Sequence, residues 1–257
     1  MVQQVMGYFE KRRTDRSLKW WAALADQALA LPPNQLKSLH SQACALRRKL
    51  DRISITAEAR TMELQSQNDG IVRPNQCDWA YRPQPWALPM MPAGQVGVPS
   101  PQSMGTEMKL FHDSLDSEVT YRQIRNNRPG SVAPFGLRLD VLRFGGSFLS
   151  LVQDLPAEAV KGLTRNHILN VSLDLDLEHP LEVYARLNIQ HGPNTEQMVR
   201  ELSKSGPLTV AEFDLAYSNI NEKRLEKMWV DLIFEGPQMN QISINDFTLT
   251  RAPRADL

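Results

Sequence analysis

The stretch FGLRLDVLRFGGSFLSLVQDL, residues 135–155, decides how the rest of this chain is read. Two apolar-rich runs flank Gly145-Gly146. Glycine tolerates the positive φ of a two-residue primed turn, so the spacing predicts a β-hairpin. In that register Phe144 pairs with Ser147, Leu142 faces Leu149 and Asp140 faces Leu151. One face then holds Phe135, Leu137, Leu139, Val141, Phe148 and Val152, a core set. The other gathers Leu142, Phe144, Leu149 and Leu151 near the turn. An apolar patch on an outer face needs a cover, here a strap, helices or a partner protein.

Downstream, residues 167–177 alternate strictly. His167, Leu169, Val171, Leu173, Leu175 and Leu177 share one face, and Asn170, Ser172, Asp174 and Asp176 the other. Period-two patterning means one buried and one wet face. Residues 181–191 repeat it, with Leu181, Val183, Ala185, Leu187 and Ile189 inward. If these two strands pair, Leu175 opposes Ala185 and Asp174 opposes Arg186, because a one-residue slip would turn the leucines to water. Their wet face would unite Asp174, Asp176, Tyr184, Arg186, Asn188 and Gln190. Three more strands follow at 208–217, 228–235 and 241–251. In the last, the apolar phase flips at Asn245-Asp246, which predicts a bulge. With no helices between strands, the fold class is mainly β, an antiparallel, jelly-roll-like β-sandwich (residues 106–257) preceded by an N-terminal α-helical hairpin.

That front is residues 1–66, and residues 1–60 hold eleven Lys or Arg and five Asp or Glu, a balance of +6; the neutral chain therefore carries −6 in the remainder. Pro32-Pro33 breaks it into two helices, with Asn34 as the N-cap of the second. Leu36, Leu39, Ala43, Leu46, Leu50, Ile53, Ala57 and Leu64 form a heptad seam, with Arg47, Arg48 and Arg52 off it. Such a hairpin suits docking or self-association. Trp20-Trp21, near Arg12, Arg13 and Arg16, also suits a peripheral membrane helix. Packing of one Trp on the second helix and one on the sandwich is the plainer reading. Nucleic-acid binding is disfavoured, since no recognition motif accompanies the charge. Residues 67–105 form a Pro-rich strap, with seven of seventeen prolines between Pro74 and Pro101. Trp79, Tyr81 and Trp86 within it read as anchors.

Two isolated cysteines, Cys44 and Cys77, fit a reducing compartment. The apolar start is cut by Glu10-Lys11-Arg12-Arg13, too soon for a secretion signal. The expected location is the cytoplasm, with the Trp20-Trp21 helix as the route to peripheral contact with the inner membrane.

The segments FGLRLDV, GSFLSLV, RLNIQHGPNTEQ and LIFEGPQMNQ, with the closing ISINDFTLTRAPRADL, resemble an uncharacterised bacterial family classed as a domain of unknown function. The likeness covers residues 78–257 and, more loosely, the helical front. It implies no catalytic residues. The ending also resembles the final strand of jelly-roll carbohydrate-binding modules.

Known chemical motifs are missing: no phosphate loop, HExxH or CxxC pair occurs, and the five histidines are scattered. No cofactor or metal is expected. Asp174 and Asp176 sit about 7 Å apart on a strand, which permits glycosidase-like geometry. A solvated face with an Asp174–Arg186 ion pair is the plainer alternative. Two Gly-Pro turns, at 191–194 and 235–240, would place Asn194, Glu196, Asn221 and Asn240 on one rim if both fall at one end. The expectation is a non-catalytic binding or adaptor protein for a glycan or protein partner. Its ligand-binding candidates are Asp174, Tyr184, Arg186, Asn188, Asn194 and Asn240. Its partner or membrane contacts would be Trp20, Trp21, Arg47, Arg48, Leu142 and Phe144.

Overall fold

The computed structural model describes residues 2–65 and 70–254; the side chains of 2–10, 52, 55 and 58–65 are outside it, Arg52 and Leu64 among them. The chain divides into two compact units, Met1–Ser54 and Ile55–Leu257.

Two long helices form the front: α1, Val2–Gln27, and α2, Pro33–Gln65, joined through a 3-10 turn at Ala28–Ala30. Proline fits the first turn of α2, where its missing amide hydrogen costs nothing. Asn34 therefore lies inside the helix as its second residue, two positions past the cap it was expected to form. Half-buried residues fall at helical spacing on each, Trp21 and Leu24 on α1, continued by Ala28 in the 3-10 turn, and Leu39, Ala43 and Leu46 on α2. Leu36, Leu50 and Ile53 of the seam remain exposed.

The second unit is a two-sheet antiparallel sandwich. Its strands are β1 Trp79–Tyr81, β2 Gly94–Val96, β3 Gln102–Met104, β4 Met108–His112, β5 Val119–Arg125, β6 Phe135–Val141 and β7 Leu149–Asp154. There follow β8 His167–Leu177, β9 Val183–His191, β10 Asn194–Glu201, β11 Ser203–Ser205, β12 Leu208–Asp214, β13 Leu225–Phe234 and β14 Asn240–Pro253. A one-turn helix, α3, spans Gln84–Ala87. The large sheet runs β11-β12-β8-β14-β6-β5-β2, with β1 also on β14; the small sheet runs β10-β9-β13-β7-β4-β3.

Strand positions follow the apolar pattern, but two expected pairings do not form. First, β6 lies in the large sheet between β14 and β5, while β7 lies in the small sheet between β13 and β4. Residues 142–148 are thus a crossover between sheets, not a hairpin turn. Neither Gly145 nor Gly146 has positive φ. Gly146 is needed for space: a Cβ there would sit 2.3 Å from Asp113 Oδ1 and 2.8 Å from the Ser114 nitrogen. Asp113 holds the crossover by accepting from the Ser147 and Phe148 amides. The switch removes the expected outer patch. Leu149 and Leu151 face the core from the small sheet, opposite the β6 leucines, and Phe144 is buried; Leu142 alone of the four is exposed.

Second, β8 pairs with β12 and β14, and β9 with β10 and β13. Both strands turn their leucines to the same core from opposite sheets. The expected bulge is present, as the β14–β8 register shifts between Ile244 and Asp246. Gly136 lies against it, 3.3 Å from the Asn245 Cα to an added Cβ.

The strap is pinned to the large sheet. Trp86 is fully buried, donates from Nε1 to the Ile244 carbonyl at 2.8 Å and meets Phe247 edge-on. Gln123 on β5 donates to the Pro85 and Leu88 carbonyls and accepts from the Met90 amide.

Candidate binding face on the small sheet

The register of the small sheet sets its solvent face in rows. The central row reads Val199, Arg186, Asp231, Val152, Lys109 and Ser103 across six strands. One row further, about 7 Å along the strands, come Gln197, Asn188, Trp229 and Asp154. On the other side lie Glu201, Tyr184, Ile233, Ser150 and Phe111.

Its centre is a polar cluster that is buried although it faces outward. Arg186 donates from Nε at 2.7 Å and approaches from Nη2 at 2.6 Å, both on Oδ2 of Asp231, which is 2 % exposed. Asn188, fully buried, donates to the same oxygen at 3.2 Å and accepts from Gln197 Nε2 at 3.0 Å. Asp231 Oδ1 has no partner among the described residues. A charge-assisted pair held by two amides fixes the Arg186 guanidinium on the face. Trp229 and Tyr184 flank it on adjacent rows, and Phe111 stands two strands from Asp231 across the sheet. Trp229 is half-buried and covered on one side by Lys227, 5.4 Å from its centroid; Lys227 also pairs with Asp154 at 2.7 Å. Tyr184 donates to Glu182 at 2.7 Å. This bond, with burial and the charges of Glu182, Glu235 and Glu201, pushes its hydroxyl up to about 12. Phe111 closes the far side of that row. Trp229, Asp231 and Gln197 escaped sequence reasoning because their roles arise only from pairing across strands.

The other candidates disperse. Asp174 lies on the outer face of the large sheet, paired across strands with Asp246, and so cannot meet Arg186. Asp176 is held by Arg128 and by Asn245 at 3.2 Å; the Arg128 hydrogen bond keeps its carboxyl below the usual range despite partial burial. The Gly-Pro turns fall at opposite ends of the small sheet, since His191 pairs with Leu225 and Val183 with Phe234. Asn194 is exposed at one end. Asn240, buried at the other, clamps the backbone of His179 with bonds of 3.1 and 2.9 Å. Glu196 accepts from the Asn219 amide and Asn221 caps a 3-10 turn, so the amide rim does not form. In the front unit Trp20 is half exposed and meets Trp21 edge-on at 4.9 Å; Arg47 and Arg48 are exposed, Arg47 at 3.7 Å from Asp51. No group of His, Cys, Asp and Glu among the described residues is arranged to hold a metal ion, and no described helix is long and apolar enough to cross a membrane.

A family model matches residues 1–257, the whole chain. The chain belongs to the family of unknown function DUF6478. Comparison with the curated proteins gave no match. Among solved structures, a family 11 carbohydrate-binding module from Clostridium thermocellum, in complex with a mixed-linked tetrasaccharide, is similar at TM-score 0.39 and 10 % identity, over 63 % of this chain and 98 % of that one. A xylan-binding domain from Paenibacillus barcinonensis is similar at TM-score 0.36 and 7 % identity, over 72 % and 100 %. The enzymatically active domain of a bacteriophage CBA120 tailspike protein is similar at 0.38 and 8 %, over 58 % of this chain but 19 % of that one. At these values the likenesses carry no argument about the DUF6478 chain, whose sandwich stands on its own strand pairing.

Proposed function

We propose that this DUF6478 chain is a non-catalytic binding protein whose small sheet takes a saccharide on its solvent face. The observation that carries this is the buried Arg186–Asp231–Asn188–Gln197 cluster set among Trp229, Tyr184 and Phe111. Sugar rings present apolar faces that stack on aromatic planes and hydroxyls that need fixed donors and acceptors, and this face offers both in one rigid register. Binding fits better than hydrolysis. A glycosidase acid needs a raised carboxyl, whereas Asp176 is held low by Arg128. The helical front, with Trp20, Arg47, Arg48 and Leu50 exposed, would serve docking or self-association.

The test is titration calorimetry against a panel of neutral and acidic oligosaccharides. We expect one class to bind and Tyr184→Ala and Trp229→Ala each to weaken it about tenfold, roughly 1.4 kcal/mol, with the melting curve kept. No binding across the panel, or binding untouched by both variants, would overturn the reading.

A further inference from the structure

The outer face of the large sheet carries a separate groove of about 630 Å³. Its floor is β8, β14 and β12; one wall is formed by residues 70–74 with residues 126–132, the other by residues 205–208. The walls are held. Asn126 donates to the Asn245 carbonyl at 3.1 Å, Ser131 donates to Asn126 at 2.9 Å, and Arg128 pairs with Asp176. Gly70 closes tightly on Val132, where an added Cβ would fall 1.8 Å from Cγ1.

The floor carries hydrogen-bonding capacity that the protein leaves unspent. Cross-strand pairs set Asn170 beside Thr250, Ser172 beside Thr248 and Asp174 beside Asp246. Thr250 is only 5 % exposed, lines the groove, and has no side-chain hydrogen bond to any described residue; Asn170, Ser172 and Thr248 have none either. These hydroxyls and the amide open onto the groove, where a ligand can take up their hydrogen bonds.

The charges select the ligand. Asp246 is neutralised by a two-pronged pair with Arg82, both bonds 2.8 Å. Asp174 meets the Asn245 amide at 3.4 Å and feels the charge of Arg128 without forming an ion pair with any described residue, and exposed Glu212 has no partner among the described residues. Glu212 pairs across strands with Asn170, four residues along β8 from Asp174. These two carboxylates, neither in an ion pair with a described residue, thus stand at opposite ends of the floor, about 13 Å apart along the strand. An extended peptide places residues i and i+4 at that same spacing, while its alternating amides and carbonyls match a floor of hydroxyls and an amide. Val72, Val132, Pro207 and Leu208 on the rims suit its intervening apolar side chains.

We infer that this groove is a second binding site, for an extended peptide segment with two basic residues four apart, one on Asp174 and one on Glu212. It lies on the opposite outer face from the small-sheet site, so the sandwich can hold two partners at once.

The test is fluorescence polarisation of the full chain with a labelled Lys-x-x-x-Lys peptide of small apolar and hydroxyl residues. A peptide with both lysines replaced by glutamate and a neutral tetrasaccharide are the comparison arms. The dilysine peptide should bind, and Asp174→Asn or Glu212→Gln should each weaken it about fivefold to tenfold. Salt raised to about 0.5 M should weaken it further, as for partly exposed charge pairs. Tyr184→Ala should leave it unchanged, which separates this site from the small-sheet face. Near-isosteric variants on the solvent side should keep the fold, checked by circular dichroism. Equal affinity for the glutamate peptide, displacement by the tetrasaccharide, or indifference to both carboxylate variants would overturn the assignment.

Discussion

Arg251 and Asp78 form a two-pronged ion pair, Nε to Oδ1 at 2.8 Å and Nη2 to Oδ2 at 3.0 Å, between the last strand and the start of the strap. Arg251 is 5 % exposed and spends its remaining nitrogen on the Ala159 and Lys161 carbonyls at 2.9 and 3.0 Å. His167 adds its Nε2 at 3.3 Å from Asp78 Oδ2, while its Nδ1 accepts from the Thr164 amide. One guanidinium therefore ties two separated segments, at Asp78 and at residues 159–161, to β14, and the strap beside the sandwich depends on it.

Asp78→Asn should cost about 2 kcal/mol, in the range of hydrogen bonds to charged groups. This is less than the roughly 3–5 kcal/mol of a fully buried pair, because the Asp78 side chain is 38 % exposed and partly screened. The urea midpoint of the second unit's transition would show it; an unchanged midpoint would mean the strap holds without the pair.

The same pair makes a pH prediction. Burial raises the Asp78 carboxyl, but the hydrogen bonds and charge of Arg251, with His167, outweigh it and hold it below its ordinary 3.8. A depressed folded-state value means stability that is complete above pH about 4 and lost as pH falls through the folded value. Melting curves of the native chain and Asp78→Asn should differ at neutral pH and draw together as the pH falls below 3.8 and through the folded-state value. A gap that persists in acid would assign the effect to packing.

The crossover of residues 142–148 separates its two glycines. Gly146→Ala drives a Cβ against Asp113 and the Ser114 backbone and should cost about 1–3 kcal/mol. Gly145→Ala meets nothing within 4 Å and should stay within about 0.5 kcal/mol. A primed hairpin turn would penalise both, so thermal melts of the two variants discriminate the topologies.

Trp86→Phe keeps an aromatic ring beside Phe247 and removes the donor to the Ile244 carbonyl. We expect a loss of about 1–2 kcal/mol, against roughly 3–5 kcal/mol for Trp86→Ala. Similar losses would show that the hydrogen bond, not the ring volume, carries the anchoring.

Much of this was legible in advance. The strand at His167–Leu177, its inward leucines, the bulge before Asp246 and the anchoring of Trp86 all follow from local pattern. The small-sheet face was half legible: Tyr184, Arg186 and Asn188 share a parity in sequence. Their partners Asp231, Gln197 and Trp229 come from two other strands, and no local signal joins them. Asp174 was grouped with Arg186 because adjacent strands of matching phase read as a pair.

The sequence by itself determined where the long strands at 167–177 and 183–191 run and which side of each meets the core, because alternation records burial directly; for residues 149–154 it chose the wrong side, since Leu149 and Leu151 face the core and Val152 faces out. Only the tertiary structure decided that residues 135–155 cross from one sheet to the other. A sandwich has two sheets facing one core, so inward leucines satisfy either partner equally, and the backbone hydrogen bonds that choose between them are common to every residue. The glycines that announced a turn announced a crossing equally well, and Gly146 serves it through the space it leaves for Asp113.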